Sequence, residues 1–213
     1  MALRLAGETP GVVQGLDNSG WPQLASPGTV DLREAFLGRL RTGVYYVNYP
    51  FWLRDGYGSN ALTVNTLYGS PFWVPRKAAI DRIAVNVVTG TGVAGDKARL
   101  GLYRDGTNLQ PGSLFADAGE VAVDTAGVKS IAVSWSVAGG LWWLAILANA
   151  APAIMGTTSE RIPIVGWENN LATNNAGWSS TQTYGALPDP FPLATLGTRE
   201  ALFGLALRFA SFD

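Results

Sequence analysis

Asp117 and Glu120, two carboxylates three positions apart, are the residues whose spacing best suits them to chemistry. Paired carboxylates can share general acid and general base work, as in glycoside hydrolysis, where two of them flank the bond that breaks. Here they flank Gly119 between two apolar runs, and acids beside a turn glycine ordinarily face water and shape the turn. No further acid converges on them in the sequence, so the expectation is a pair of solvated turn residues and no catalytic site. Asp96, Asp105 and Asn108 offer hard oxygens of the kind that ligate Ca²⁺. The run Asp105-Gly106-Thr107-Asn108 is equally what a tight hairpin needs sterically, and that reading leaves no metal site. Histidine and cysteine are both absent from the 213 residues. Their absence excludes Ser-His-Asp and Cys-His nucleophiles, disulfides, iron–sulfur ligation and nearly every zinc site. The chain is expected to be a non-enzyme without a cofactor.

Binding chemistry has better candidates. Trp167, Trp178 and Tyr184 share one polar stretch with Asn169, Asn170, Asn174 and Asn175. An indole stacks on the apolar face of a sugar ring while amides reach its hydroxyls, so this stretch reads as a glycan surface. Aromatics are equally enriched where one subunit packs on another, and both readings stand. Tyr49, Phe51, Trp52 and Tyr57 form a second aromatic loop with the same two readings. Arg33, Arg39 and Arg41 read as a solvated helix face, and a net charge of -1 leaves no excess of cations to neutralise a phosphate backbone. Nucleic acid is therefore not an expected partner.

The elements that must hold these side chains are mostly short strands. Charged residues make up 15% of the chain and apolar ones 47%, enough apolar surface to offset the entropy of ordering. Residues 1–30 are broken by glycine and proline without sustained periodicity and read as an extended arm. Asp31 can cap a short helix over 32–42, with Leu32, Phe36, Leu37 and Leu40 on one face and Gly43 as its stop. From Val44 onward the period changes to two. Strands are expected at 44–47, 66–74, 80–88, 97–103, 113–116, 119–124, 129–135, 141–149, 161–166 and 202–212. Ala98, Leu100 and Leu102 should point inward, with Arg99 and Tyr103 outward. The strand at 141–149 is apolar on both faces, which marks a central strand or one at a subunit interface. The fold class is all-β, an antiparallel jelly-roll β-sandwich over 44–213 that follows an arm and short helix over 1–43. A long polar insertion lies between Gly166 and Gly197. Leu32, Phe36, Leu40, Trp142 and Leu144 are the expected oligomer contacts. No stretch reads as a secretion signal, and the longest apolar run, 139–152, falls short of the ~20 residues that span a bilayer. Membrane insertion is not expected.

One pattern is familiar. The residues Arg99-Leu100-Gly101-Leu102-Tyr103, then Pro111-Gly112, then Asp117-Ala118-Gly119-Glu120-Val121 form an R-x-G-x-Y strand, a Pro-Gly turn and a D-x-G-x-V strand. Gly140-Leu141-Trp142-Trp143-Leu144-Ala145, Thr42-Gly43-Val44-Tyr45-Tyr46, Leu187-Pro188-Asp189-Pro190-Phe191-Pro192 and Ala206-Leu207-Arg208 complete it. This pattern resembles that of bacteriophage tail fibre and spike proteins with a C-terminal receptor-binding-like jelly roll, and it covers about residues 42–210. The resemblance implies a virion protein on the tail or head surface: a homotrimeric knob that attaches to other virion proteins through its arm and contacts host surface polysaccharide. Because only about forty residues precede the domain, a compact knob, head spike or capsid decoration fits better than a long fibre. The alternative expectation is a decoration or adaptor protein with purely structural subunit contacts.

Overall fold

The computed structural model describes residues 40–48, 58–157, 166–167, 174–175, 177–192 and 202–212. The chain divides into two units, Met1–Arg41 and Thr42–Asp213, and the second carries the fold. The arm, Leu32, Phe36 and most of the expected helix lie outside the described residues. Leu40, Arg41 and Thr42, the last three positions of that helix, are not helical.

The strands are β1 (Tyr45–Val47), β2 (Gly58–Ala61), β3 (Thr66–Val74), β4 (Ala78–Thr89), β5 (Lys97–Asp105), β6 (Pro111–Ala122), β7 (Gly127–Val137), β8 (Gly140–Ala148), β9 (Ala153–Thr157), β10 (Gly166–Trp167), β11 (Asn174–Asn175), β12 (Trp178–Thr181), β13 (Leu202–Phe203) and β14 (Leu205–Phe212). Five of them form one sheet in the order β12-β3-β8-β5-β6, and seven form another built around β4. In the larger sheet β7 pairs along one edge of β4, while β14 and then β9 share its other edge. Beyond them, β1 pairs with β14, and β2 and β13 pair with β9. All pairs are antiparallel, and the two sheets pack face to face as a β-sandwich.

Alternation builds the core between the sheets. Ile83, Val85 and Val87 of β4 and Leu205, Leu207 and Phe209 of β14 are buried, as are Ala98, Leu100 and Leu102 of β5. Aromatic pairs bridge from β3 to the other sheet: Tyr68 meets Phe203 with ring centroids 4.4 Å apart, and Phe72 meets Phe209 at 6.2 Å. Burying a side chain of this size contributes about 1.5–3 kcal/mol, so such a core dominates the stability of the domain.

Several expectations change, and β2 and β12 stand where no strand was expected. The two strands expected at 113–116 and 119–124 are one strand, β6. Gly119, at φ +99°, lets that strand bulge where Leu100 and Gly101 face Gly119 and Asp117. β9 was not expected, because Ala153-Ile154-Met155-Gly156-Thr157 has too little alternation to show a period. Tyr103 leaves the intersheet core as expected yet is fully buried, since the outer face of its sheet has a cover of its own.

Candidate functional site

That outer face is the most elaborated surface of the described domain. Strand register arranges its side chains in three rows running across the sheet. The first is Leu67, Leu147, Arg99 and Glu120, and the third is Pro71, Trp143, Tyr103 and Leu114. Between them Gly69, Ala145, Gly101 and Asp117 line up, so three small residues make a trough between two walls of large ones.

A strap over residues 182–192 fills the trough. Leu187 sits against Gly101 so closely that a Cβ there would overlap its side chain, and the ring of Phe191 lies 3.2 Å from where a Cβ on Gly69 would stand. Phe191 also meets Tyr103 edge-on, with centroids 5.2 Å apart. Leu67, Tyr103, Trp143, Ala145, Leu147, Trp178, Leu187 and Phe191 form one buried cluster, separate from the intersheet core. The doubly apolar strand β8 thus finds cover on both faces within its own chain. Trp142 is 6% exposed and Leu144 fully buried, so neither needs a second subunit, contrary to the expected interface role.

Hydrogen bonds pin the strap along its length. Asn65, itself at φ +58°, accepts from Gln182 N through its carbonyl at 2.8 Å and from Tyr184 N through its side chain at 2.9 Å. Leu187 N donates to Asp117 Oδ2 at 3.0 Å, and Tyr103 Oη donates to the Pro188 carbonyl at 2.7 Å. Leu114 N donates to Asp189 Oδ1 at 2.8 Å, and Phe191 N to the Gly112 carbonyl at 2.9 Å. The strap backbone, which no sheet ladder serves, places four N–H groups and one carbonyl in these bonds.

Asp117 and Glu120 correspondingly lie inside β6 and not at a turn, Asp117 half-buried and Glu120 exposed as expected, and both are paired. Arg99 donates to Asp117 at 3.0 Å through one terminal nitrogen and to Glu120 at 3.0 Å through the other. Asp117 Oδ1 also accepts from Gly119 N at 2.9 Å, while Glu120 accepts from Lys97 Nζ at 3.0 Å and from Tyr184 Oη at 2.9 Å. The hydrogen bond from Lys97, then those from Tyr184 and Arg99, hold the Glu120 carboxyl below its ordinary range. Burial, and then the bond to Glu120, push the Tyr184 phenol up to about 12. Burial and the nearby Asp117 and Asp189 push Tyr103 higher still. A glycosidase pair flanks a groove open to substrate, whereas these two acids engage Arg99, Lys97, Tyr184 and the amides of Gly119 and Leu187. Both acids serve as a latch between β5, β6 and the strap. Among the described residues no group of three or more Asp and Glu gathers as it would around a metal ion.

Of the expected glycan residues, only Trp178 and Tyr184 have described side chains, and both are engaged within the chain. Trp178 is 3% exposed and its Nε1 donates to the Leu109 carbonyl at 2.7 Å, so its indole is closed to a sugar ring. Tyr184 is half-buried and engaged with Glu120. Trp167 on β10 pairs in register with Asn174 on β11. Asn169 and Asn170 lie outside the described residues, as does the aromatic loop Tyr49, Phe51, Trp52 and Tyr57. Asp105 accepts from Trp143 Nε1 at 2.8 Å and belongs to the structural network, as its turn reading implied. The residues that do assemble, Asn65, Gly69, Arg99, Gly101, Leu187 and Phe191, were not singled out for a site. The usable signal was the trio Pro188, Pro190 and Pro192, which directly follows Leu187 and encloses Phe191 inside a largely polar insertion. The chain matches no protein-family model and no curated protein.

Proposed function

We propose that the chain is a structural protein of a phage particle: a jelly-roll-wound knob or surface decoration, held by its N-terminal segment, that works by architecture rather than by chemistry. One observation carries this reading. Many of the residues through which the sequence resembles tail fibre and spike proteins are far apart in the chain, yet they converge on the strapped face, while residues 42–46 and 206–208 meet each other in the other sheet. Arg99, Gly101 and Tyr103 meet Asp117, Gly119, Leu187, Pro188 and Asp189 there, each in a definite mechanical role. The pattern therefore specifies a way of closing a sandwich, and such a module suits an exposed particle surface.

Of the two roles, subunit architecture is favoured over glycan adhesion, because Trp178 and Tyr184 are occupied within the chain. Half of the argument for a homotrimer falls away, since the strap covers β8. The other half rests on Leu32 and Phe36, outside the described residues. A smaller glycan surface is the second reading, resting on the sequence of Trp167, Asn169, Asn170 and Asn174. Antibody–gold labelling of intact particles tests the proposal. Label over the capsid or along the tail supports an architectural role, label at the tail tip revives adhesion, and particles without label overturn both.

A further inference from the structure

We propose that β7 is a self-pairing edge, through which two copies of this chain join their seven-stranded sheets about a two-fold axis at Ala132. Among the described residues β7 pairs only with β4, so an eleven-residue strand carries a free row of N–H and C=O groups. Proteins normally guard such an edge with bulges, prolines or charges. The contrast with β6, the edge of the other sheet, is direct. Register shifts break the β6 ladder at three places, and it carries Asp117 and Glu120. β7 has no proline and no acid, its ladder shifts at one place, and its one charged residue is Lys129.

The sequence of β7 is close to palindromic in its chemistry. Antiparallel pairing about Ala132 sets Ala132 against itself, Ile131 against Val133, Ser130 against Ser134 and Lys129 against Trp135. Each serine meets a serine and each branched aliphatic meets another, the favourable kinds of cross-strand neighbour. No like charges meet. Both ends bring an ammonium beside an indole, an attractive cation–π arrangement. Lys129 Nζ already donates to Thr125 Oγ1 at 2.8 Å, and its remaining donors leave that bond compatible with the pairing.

Burial points to the same partner. On the outward row Val128, Ser130, Ala132, Ser134 and Ser136 are exposed, small or uncharged, and sterically free to sit beside their counterparts. On the inward row Ile131, Val133 and Trp135 are only half-buried. Trp135 stands edge-on to Phe115 of β6 with centroids 6.2 Å apart, at the open side of the sandwich. A second copy continuing the sheet would complete the cover over that side, whereas a chain with a charged edge strand would not.

Sedimentation of the full chain tests this. Wild type at high micromolar concentration should run at an even multiple of the 22.5 kDa chain mass. Ala132→Lys faces two ammonium groups across the axis and should halve that mass, as should Ala132→Glu, while an equimolar mixture of the two variants should restore it. Melting curves confirm that each variant is folded. In a chain without cysteine, Ala132→Cys offers a second route that needs no charge at the interface: mild oxidation should give a covalent dimer, and Val93→Cys, exposed elsewhere, should not. A wild-type monomer at that concentration, a mass indifferent to Ala132→Lys, or failure of Ala132→Cys to cross-link overturns the proposal.

Discussion

The two outer faces of the sandwich are finished in opposite ways. The five-stranded sheet turns leucine, tryptophan and tyrosine outward and has a strap to cover them. The seven-stranded sheet turns Asp81, Arg82, Asn86 and Arg208 outward at half-exposure and leaves them near water. There Arg208 grips Asp81 with two hydrogen bonds, at 2.7 and 2.8 Å, and lies over the ring of Tyr45. Both faces carry an arginine–carboxylate pair, but the pairs do different work. Arg99 joins two strands to a segment some seventy residues away through carboxylates that also accept from the strap, whereas Arg208 joins neighbouring strands that the ladder already holds. The lesson is that an ion pair contributes according to what it holds in place, not by being an ion pair.

Four substitutions break or sharpen this contrast. Phe191→Ala empties the trough over Gly69 and should cost about 3–5 kcal/mol, a fall in melting midpoint on the order of 10 °C by calorimetry. Asp117→Ala leaves Arg99 half-paired and the Leu187 and Gly119 amides without their acceptor. A loss of about 2 kcal/mol in urea unfolding is expected, reduced from a fully buried case because the pair is partly exposed. Tyr184→Phe removes one bond to Glu120 and should cost about 1 kcal/mol at neutral pH. That variant also tests the acid limb. Because the Glu120 carboxyl titrates lower folded than unfolded, its contribution is complete above the unfolded-state value and is lost as pH falls through the folded one. Melting midpoints measured downward from pH 6 should therefore drop less steeply in Tyr184→Phe than in wild type. Asp81→Asn, on the bare face, should leave the midpoint nearly unchanged at neutral pH. A loss there as large as that of Asp117→Ala would erase the distinction between the faces.

Much of the sandwich was legible because a strand with one buried face alternates with period two. β3, β4, β5, β7 and β8 lie within two residues of where alternation or a run of apolar residues places them. β6 was split in two because Asp117-Ala118-Gly119 has the composition of a turn, and composition does not distinguish a turn from a bulge. The face opposite the core was misjudged for a different reason. Arg99 and Tyr103 do point away from the core, but what lies beyond them is set by a segment eighty-five positions from Tyr103. Local periodicity says which residues share a face and not whether a distant loop returns to cover it. The same limit separated Trp178, a buried anchor, from the sugar-stacking role its polar neighbours suggested.

The position of β14 bears on how the protein is made. This strand lies between β1 and β4, with Tyr45 opposite Arg208 and Ile83 opposite Leu207. Until residues 205–212 have left the ribosome, β4 lacks its partner from Ala78 to Val85, and the intersheet core lacks Leu205, Leu207 and Phe209. The nascent chain must carry exposed apolar surface until then, and long-range pairing of this kind closes slowly. Ribosome stalling or a premature stop just ahead of Leu205 would release a chain whose central gap invites pairing with other chains, so translation through Phe212 is itself a condition of solubility.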